Sequence, residues 1–494
     1  MDSNVSFGLQ NLCVLIVYLA CMVGIGLAFA GKQKTAKDFF LAGRNMPWWA
    51  VAMSVFASIT TGISYLGTPG LVYQENVLFF VGILMMPVAA PVIILLFLPF
   101  YHKLKVTTSY EYIFLRFGAP ARYCVSGLFI CARIGWLGTV IYAPAVAITV
   151  VTGSPLWVAI LAMGLLGTAY TVLGGVTAVI WSDVAQFLIL FGTAVVVSIA
   201  LIVSVPGGFM GIMEVARDSG KLNLTEWWPS LTHMTVIAVA VAYFFQFMHD
   251  YGVDQLTVQR LLATKDLPGM VRATFANSLI SVVVIGLLTF IGLGLYAYHG
   301  AFPERLPDGI AADQIFPFYV MHAMPRGISG LVSGGLFAAA MSCMDSGISS
   351  LSTVVVNDFV RPLRSVPLSD TREVQLARVL TFVFGAFATG VAFFASTIGE
   401  IMKVSQTFLG LFSGPVLALF LLGMLTRRAS FAGWFVGVCI AIPATIWVQR
   451  ATDVHFIYYF PISLVTALVV GFLVSVVVPQ KQVASTLTVW SREG

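Results

Sequence analysis

Between residues 338 and 350 the chain reads Ala-Ala-Ala-Met-Ser-Cys-Met-Asp-Ser-Gly-Ile-Ser-Ser, an apolar stretch carrying one carboxylate and several hydroxyls. Ser342, Asp345, Ser346 and Ser349 stand at i, i+3, i+4 and i+7, so a helix presents them on one face. An oxygen-rich face with a single carboxylate suits a small hard cation such as Na⁺, which takes oxygen ligands. The alternative is a protonated Asp345, hydrogen-bonded as a brace between helices. A second stretch, Gln246 to Gln255, sets His249, Asp250, Gly252 and Asp254 in an otherwise apolar segment. In hydrocarbon such groups are costly unless they face a cavity or one another; the alternative is an Asp–His pair that only locks a bend. A third, Ser54 to Ser64, crowds hydroxyls around Gly62 and is followed by Pro69-Gly70. An interrupted membrane helix frees carbonyls and helix ends to coordinate ions and substrate, although Ser, Thr and Gly also serve close helix packing. Arg133 and Asp183 are two further charges within apolar segments, paired with each other or with partners elsewhere. No Ser–His–Asp order, zinc-ligand spacing or phosphate loop accompanies the six histidines. The chain therefore reads as no enzyme, with no transition metal and no cofactor.

The elements that must position these groups follow from composition. Hydrophobic residues make up 59% of the 494 residues and charged residues 10%, against about 25% charged in an average soluble domain. The apolar residues gather in runs of about 20, enough to cross a hydrocarbon core as a helix. Strands with open edges cannot survive there, and the roughly 10-residue alternation of a transmembrane barrel is absent. The sequence predicts an all-α polytopic membrane protein with thirteen spans near 8–30, 47–72, 77–101, 123–151, 155–173, 176–204, 233–262, 270–298, 326–357, 373–396, 401–425, 430–449 and 456–479, numbered here 0 to 12. Span 0 lacks a basic n-region and is followed by the basic loop 31–45, so it does not read as a cleavable signal.

Orientation follows from the distribution of Lys and Arg. With the N-terminus outside, the inner segments hold Lys32, Lys34, Lys37, Arg44, Lys103, Lys105, Arg116, Arg122, Arg260, Lys265, Arg272, Arg361, Arg364, Arg372, Arg378, Arg427, Arg428, Lys481 and Arg492. The outer ones hold only Arg217, Lys221, Arg305, Arg326, Lys403 and Arg450. N-out, C-in insertion in the plasma (cytoplasmic) membrane is predicted, and the net charge of +5 reads as loops facing anionic lipid, not as nucleic-acid binding. The six cysteines lie in apolar segments without a metal-ligand spacing or a disulfide framework. Asn223-Leu224-Thr225 matches a glycosylation sequon on the outer side, used only in a eukaryotic host.

With these segments in view, the chain resembles the sodium/solute symporter family, of sodium/glucose cotransporter type, over nearly its whole length. The resemblance is carried by Phe97-Leu98-Pro99-Phe100-Tyr101 with Thr107 to Tyr112 and Arg116-Phe117, and by Tyr170 to Gly175 with Ala178 to Asp183 and Gln186. Tyr251 to Gln255 with Val258-Gln259-Arg260, and the serine-rich span 8 leading into Asn357-Asp358, complete the set. Val140 to Pro144 and Val151-Thr152-Gly153 are similar to the branch that carries vitamins, monocarboxylates and iodide, while length and span count are similar to bacterial sialic-acid symporters.

The resemblance implies a LeuT-type 5+5 inverted-repeat core. Residues 47–204 would form the first repeat and 233–425 the second, within a single transporter domain, with peripheral helices at 8–30 and 430–479. It implies a sodium site between spans 1 and 8, with ligands from Ala57, Thr60, Ala339 and Ser342. A fifth ligand, usually Ser or Thr, falls on Cys343, a poor sodium ligand. It implies a second cation site at Asp183, Ser342, Asp345 and Ser346, where the additional carboxylate of Asp345 either strengthens cation binding or takes up a proton. For the solute it implies a midplane pocket of Thr61, Ser64, Phe79, Ile83, Trp136, Gln246, His249 and Asp250. Trp136 stands where the sialic-acid type has an arginine, and Arg133 is about one helical turn away. A sialic acid is therefore disfavoured, and a polyol, sugar, vitamin or smaller monocarboxylate stays open. The expected function is sodium-coupled symport of a small organic solute by alternating access, with Na⁺ as coupling ion, membrane lipid as surroundings and the monomer as the unit. A solute sensor or a sodium-independent uniporter of the same fold is the alternative.

Overall fold

A backbone surrounded by hydrocarbon has to satisfy its own N–H and C=O groups, and the computed structural model does so almost entirely with helices. It describes residues 8–305, 310, 312–325, 327–394, 401–478 and 487–491. Arg326, Lys481 and Arg492 of the charge distribution, and the expected span ends at 395–396 and 479, lie outside the described residues.

In chain order the helices are α1 (Gly8–Phe29), α2 (Ala36–Leu41), α3 (Trp48–Ile59), α4 (Gly62–Gln74), α5 (Leu78–Leu96), α6 (Leu98–Leu104), α7 (Tyr110–Phe117), α8 (Ala119–Thr152), α9 (Leu156–Ser204) and α10 (Gly208–Asp218). They continue as α11 (Val236–Gly252), α12 (Gln255–Leu261), α13 (Leu267–Ala301), α14 (Ala312–Ala323), α15 (Ile328–Val354), α16 (Arg361–Leu363), α17 (Asp370–Phe394), α18 (Ile401–Leu425), α19 (Phe431–Ala451) and α20 (Tyr459–Val477). Among the described residues nine helices are long and apolar enough to cross a membrane, or eleven when each of two bent pairs is taken as one span.

The spans predicted at 155–173 and 176–204 are the two arms of α9, a 49-residue element that is helical on either side of Gly175. Straight, it would reach about 74 Å, more than twice a hydrocarbon core. It is broken at Gly175, where φ is +59° and ψ −163°. A Cβ there would stand 2.9 Å from the Phe39 carbonyl oxygen, so both the conformation and the neighbour require glycine.

The two bent pairs are α3/α4, turned by 61°, and α11/α12, turned by 54°. In the first, Thr60 and Thr61 leave helical geometry, and the Thr61 hydroxyl restarts the chain by accepting the Ser64 N–H at 3.2 Å. In the second, Val253 and Asp254 form the break, and the Asp254 carboxylate accepts the Leu256 N–H at 2.9 Å. Both are N-cap interactions that satisfy a donor the break would orphan.

Between the bent pairs stands α15. Its apolar window is 89% buried, against 22% for α1 and 33% for α19 and for α20, so α15 is the central post and those three are peripheral. It packs against α9, α8, α1, α17, α3 and α12. Buried polar bonds pin the bundle's ends. Asp358, just beyond α15, accepts from Thr108 and Ser126, both at 2.9 Å. The Lys221 ammonium donates to the carbonyls of Tyr73, Gln74 and Glu75 at 2.7–2.9 Å, closing the end of α4 with a cation as the helix dipole favours.

Candidate ion and solute site

The break after α3 removes helical partners from carbonyls that would otherwise be taken. Thr60 N–H still reaches Phe56, whereas Ser64 N–H turns to the Thr61 side chain, so the carbonyls in between are available to something else. The Ala57 carbonyl faces α15. The Ser342 hydroxyl donates to it at 2.7 Å and approaches the Ala339 carbonyl at 3.4 Å, and the Cys343 thiol reaches the same Ala57 oxygen at 3.4 Å. Ala57, Ala339, Ser342 and Cys343 are all buried. Four of the five residues expected to hold sodium are thus together, and Thr60 sits at the break, lining the adjacent cavity. A cation seated here would take the Ala57 carbonyl and a lone pair of Ser342, and the hydroxyl proton would turn away.

One turn along α15 lies a charged cluster that differs from the expected second site. Asp183 accepts from Ser54 at 2.6 Å and from Ser58 at 3.3 Å. Asp345 accepts from the Tyr170 hydroxyl at 2.5 Å, and Ser346 bridges to Ser58 at 2.9 Å and to Asp345 at 3.1 Å. Ser342 does not join them, because its hydroxyl is engaged with the α3 carbonyl. Its place is taken by Arg260, counted above among the inner basic loops. Arg260 is 1% exposed. It donates to Ser346, to Ser54 at 3.0 Å and to the Leu256 carbonyl at 2.8 Å, and lies 3.5 Å from Asp183. The break at Asp254 turns α12 inward and carries Arg260 with it, so hydropathy alone misplaces the residue. Two carboxylates face one guanidinium, and Asp183 Oδ1 is buried without a partner. One further monovalent positive charge fits that arrangement.

Of the two arrangements open for Arg133 and Asp183, the structure shows the second, each with its partner elsewhere. Arg133 on α8 pairs with Asp254, and Asp183 with Arg260. The Arg133 guanidinium also lies over Trp136, 4.5 Å from the ring centre. Its Nε is buried without a partner.

Above Arg133 opens a cavity of about 300 Å³. Thr61, Ser64, Phe79, Ile83, Trp136, Gln246 and Asp250 line it as expected. His249 does not. Its ring turns to Phe460 and a small side cavity, while Nδ1 holds Asp250 at 2.9 Å. Residues beyond the expectation complete the wall, with Tyr243, Phe247, Arg133 and Asp254 below and Glu75, Met234 and His455 at the mouth. Tyr243 and Phe247 were readable, since positions 243, 246, 247 and 250 form one helical stripe with the expected Gln246 and Asp250. The mouth residues come from distant loops and carried no such signal. The ligating atoms of His249, Asp250 and Asp254 lie within 4.8 Å of one another, yet the Arg133 guanidinium already neutralises Asp254 and opposes a dication there.

Known proteins resemble this chain in sequence and in overall fold. The sequence model of the sodium:solute symporter family matches residues 39–441. The sodium/sialic acid symporter NanT of Aliivibrio fischeri is 31% identical over 472 residues, 95% of this chain and 93% of that protein. The human sodium-coupled monocarboxylate transporter 1 is 33% identical, over 89% of this chain and 73% of its own length. A solved Na⁺-coupled sialic acid symporter, in a substrate-bound outward-open state with a Na⁺ site described as novel, superposes with a TM-score of 0.92 at 30% identity, covering 97% of this chain and 100% of that one.

Proposed function

We propose a division of labour among these residues from the premise that the chain belongs to the sodium:solute symporter family. It is an integral membrane protein of LeuT-type fold, a sodium-coupled secondary active symporter of a small organic solute, and not an enzyme.

In the proposed reading, sodium sits between α3 and α15 on the Ala57, Thr60 and Ala339 carbonyls and the Ser342 hydroxyl, with Cys343 as a weak fifth neighbour. The observation that carries it is the approach of the Ser342 hydroxyl to carbonyls of both helices. The ion joins a broken helix to the central post, so binding it orders the wall of the adjoining cavity. Cation and solute then raise each other's affinity by the same factor, and each sodium brings about 2.3 kcal/mol per 100 mV of membrane potential. A second monovalent cation, Na⁺ or H⁺, balances Asp183 and Asp345 beside Arg260 and Ser346.

The solute occupies the cavity bounded by Thr61, Ser64, Phe79, Ile83, Trp136, Gln246 and Asp250. The unused donor of Arg133 beside an aromatic wall favours a small organic acid, its carboxylate toward Arg133 and its apolar part against Phe79 and Tyr243. The cavity mouth is on the outer side. With Arg260 assigned to the interior, the basic residues still divide strongly in favour of N-out, C-in insertion in the plasma membrane.

Thermal unfolding of the purified protein against a short monocarboxylate, a sialic acid and a neutral hexose, each with sodium or choline, tests this. The reading expects the carboxylate to raise the midpoint only with sodium, and Ser342→Ala to abolish that synergy. Equal stabilisation in choline would sink it. For the second site, radiotracer stoichiometry on Asp345→Ser is the measurement, and unchanged ion coupling would count against a cation there.

A further inference from the structure

At the end of the bundle opposite the cavity mouth, a groove of about 680 Å³ opens between three connections, α2 to α3, α6 to α7 and α12 to α13. Lys37, Arg44, His102, Lys105 and Lys265 line it, and no acidic residue does. The nearby acids are committed to backbone. Asp38 accepts the Thr35 N–H, Glu111 the Thr107 N–H and Asp266 the Gly269 N–H, at 2.8–3.1 Å. Among the described residues no carboxylate pairs with Lys37, His102, Lys105 or Lys265.

The backbone is strained so that these charges converge. Ala42, Arg44 and Lys105, with φ of +49°, +60° and +52°, are the non-glycine residues in the left-handed region among the described residues; Arg44 and Lys105 line this groove, and Ala42 lies between its lining residues Leu41 and Gly43. Such conformations persist where the surroundings hold them and cluster at functional sites. The Arg44 guanidinium donates to the Lys105 and Val106 carbonyls at 2.9 and 2.7 Å, and the Met46 N–H to the Ala263 carbonyl at 3.0 Å. Three connections from distant parts of the chain are thereby tied into one concave, purely basic surface. Three and four residues beyond Asn45, Trp48 and Trp49 are 39% and 41% exposed, the placement of tryptophans at a membrane–water interface. The groove therefore lies at headgroup depth.

We propose that this groove binds a phosphate group, that of an anionic phospholipid reached from the membrane interface. Inorganic phosphate offers the same chemistry from solution. Bound, the anion holds the three connections together and favours the conformation whose solute cavity is open at the opposite end. Binding is read without transport, so it stands or fails independently of the solute and sodium assignments.

The test is thermal unfolding of the full chain in neutral detergent at constant sodium, titrated with short-chain phosphatidylglycerol, short-chain phosphatidylcholine or inorganic phosphate. Phosphatidylglycerol is expected to raise the midpoint saturably and phosphatidylcholine not to. Each of Lys37→Gln, Lys105→Gln and Lys265→Gln should weaken the apparent affinity about fivefold. A phosphate response as strong as that to phosphatidylglycerol, lost in the same variants, would keep the site and overturn the lipid as its source. A triple variant that responds to phosphatidylglycerol like the parent, or equal stabilisation by phosphatidylcholine, would overturn the site. If the triple variant does not fold, the Lys105→Gln and Lys265→Gln single variants decide between the same outcomes.

Discussion

The two bent helix pairs solve the same problem in opposite ways. At α3/α4, turned by 61°, the interruption is neutral, made of Thr60, Thr61, freed carbonyls and the hydroxyl of Ser342. At α11/α12, turned by 54°, it is charged, with Asp254 held by Arg133 and Asp250 by His249. A neutral break leaves its carbonyls poised for a ligand from outside, at little cost when that ligand departs. A charged break in a dry interior has to be neutralised by the chain itself, and so acts as a latch. In the proposed reading, the same turn of backbone supplies an ion seat in one half of the molecule and a fixed anchor under the solute in the other.

The largest effect is expected at the charged break. Asp254→Leu strands the Arg133 guanidinium and should cost about 3–5 kcal/mol, read as the midpoint of thermal unfolding. Adding Arg133→Met should restore most of that stability while abolishing any carboxylate dependence of solute binding. If the double variant were no more stable than Asp254→Leu, the latch would not rest on the ion pair. At the neutral break, Ser342→Ala removes a ligand rather than a latch. Half-maximal sodium for uptake should rise about 10–100-fold, the equivalent of a bond to a charged group, with little change in the unfolding midpoint without sodium. Cys343→Ser sharpens the same point, since a hydroxyl in place of the thiol should lower half-maximal sodium about fivefold. An unchanged sodium dependence would remove Cys343 from the seat.

The smallest effect belongs to the mouth, remote from both breaks. Burial and the neighbouring His233 push the His455 imidazole below its ordinary value of 6.5. The native state therefore resists a proton that the unfolded chain accepts, so this contribution is present above pH 6.5 and is lost as pH falls through that value. His455→Gln should flatten the stability profile between pH 7 and 5 while leaving sodium dependence alone, a separation that unfolding and uptake profiles together would check.

Much of this was legible from residue types. The apolar runs dictated helices, because no other open backbone survives in lipid. The hydroxyls of Ser54 to Ser64 and the glycine and acids of Gln246 to Gln255 marked both breaks, and Ser342, Asp345 and Ser346 marked the working face of α15. Hydropathy also separated the two arms of α9, which break at Gly175. What pattern could not assign was partnership. Arg260 looked like a loop residue because a window average cannot see that a bend at Asp254 folds α12 back into the bundle. The resemblance placed His249 in the lining, yet one step of helical rotation from Asp250 turns its ring to Phe460. Ser342 was shared between two expected sites, and only the folded chain shows its hydroxyl against the Ala57 carbonyl of α3. Local chemistry and period are written along the chain, whereas which buried charge meets which depends on where distant helices cross, and only the tertiary structure fixes that.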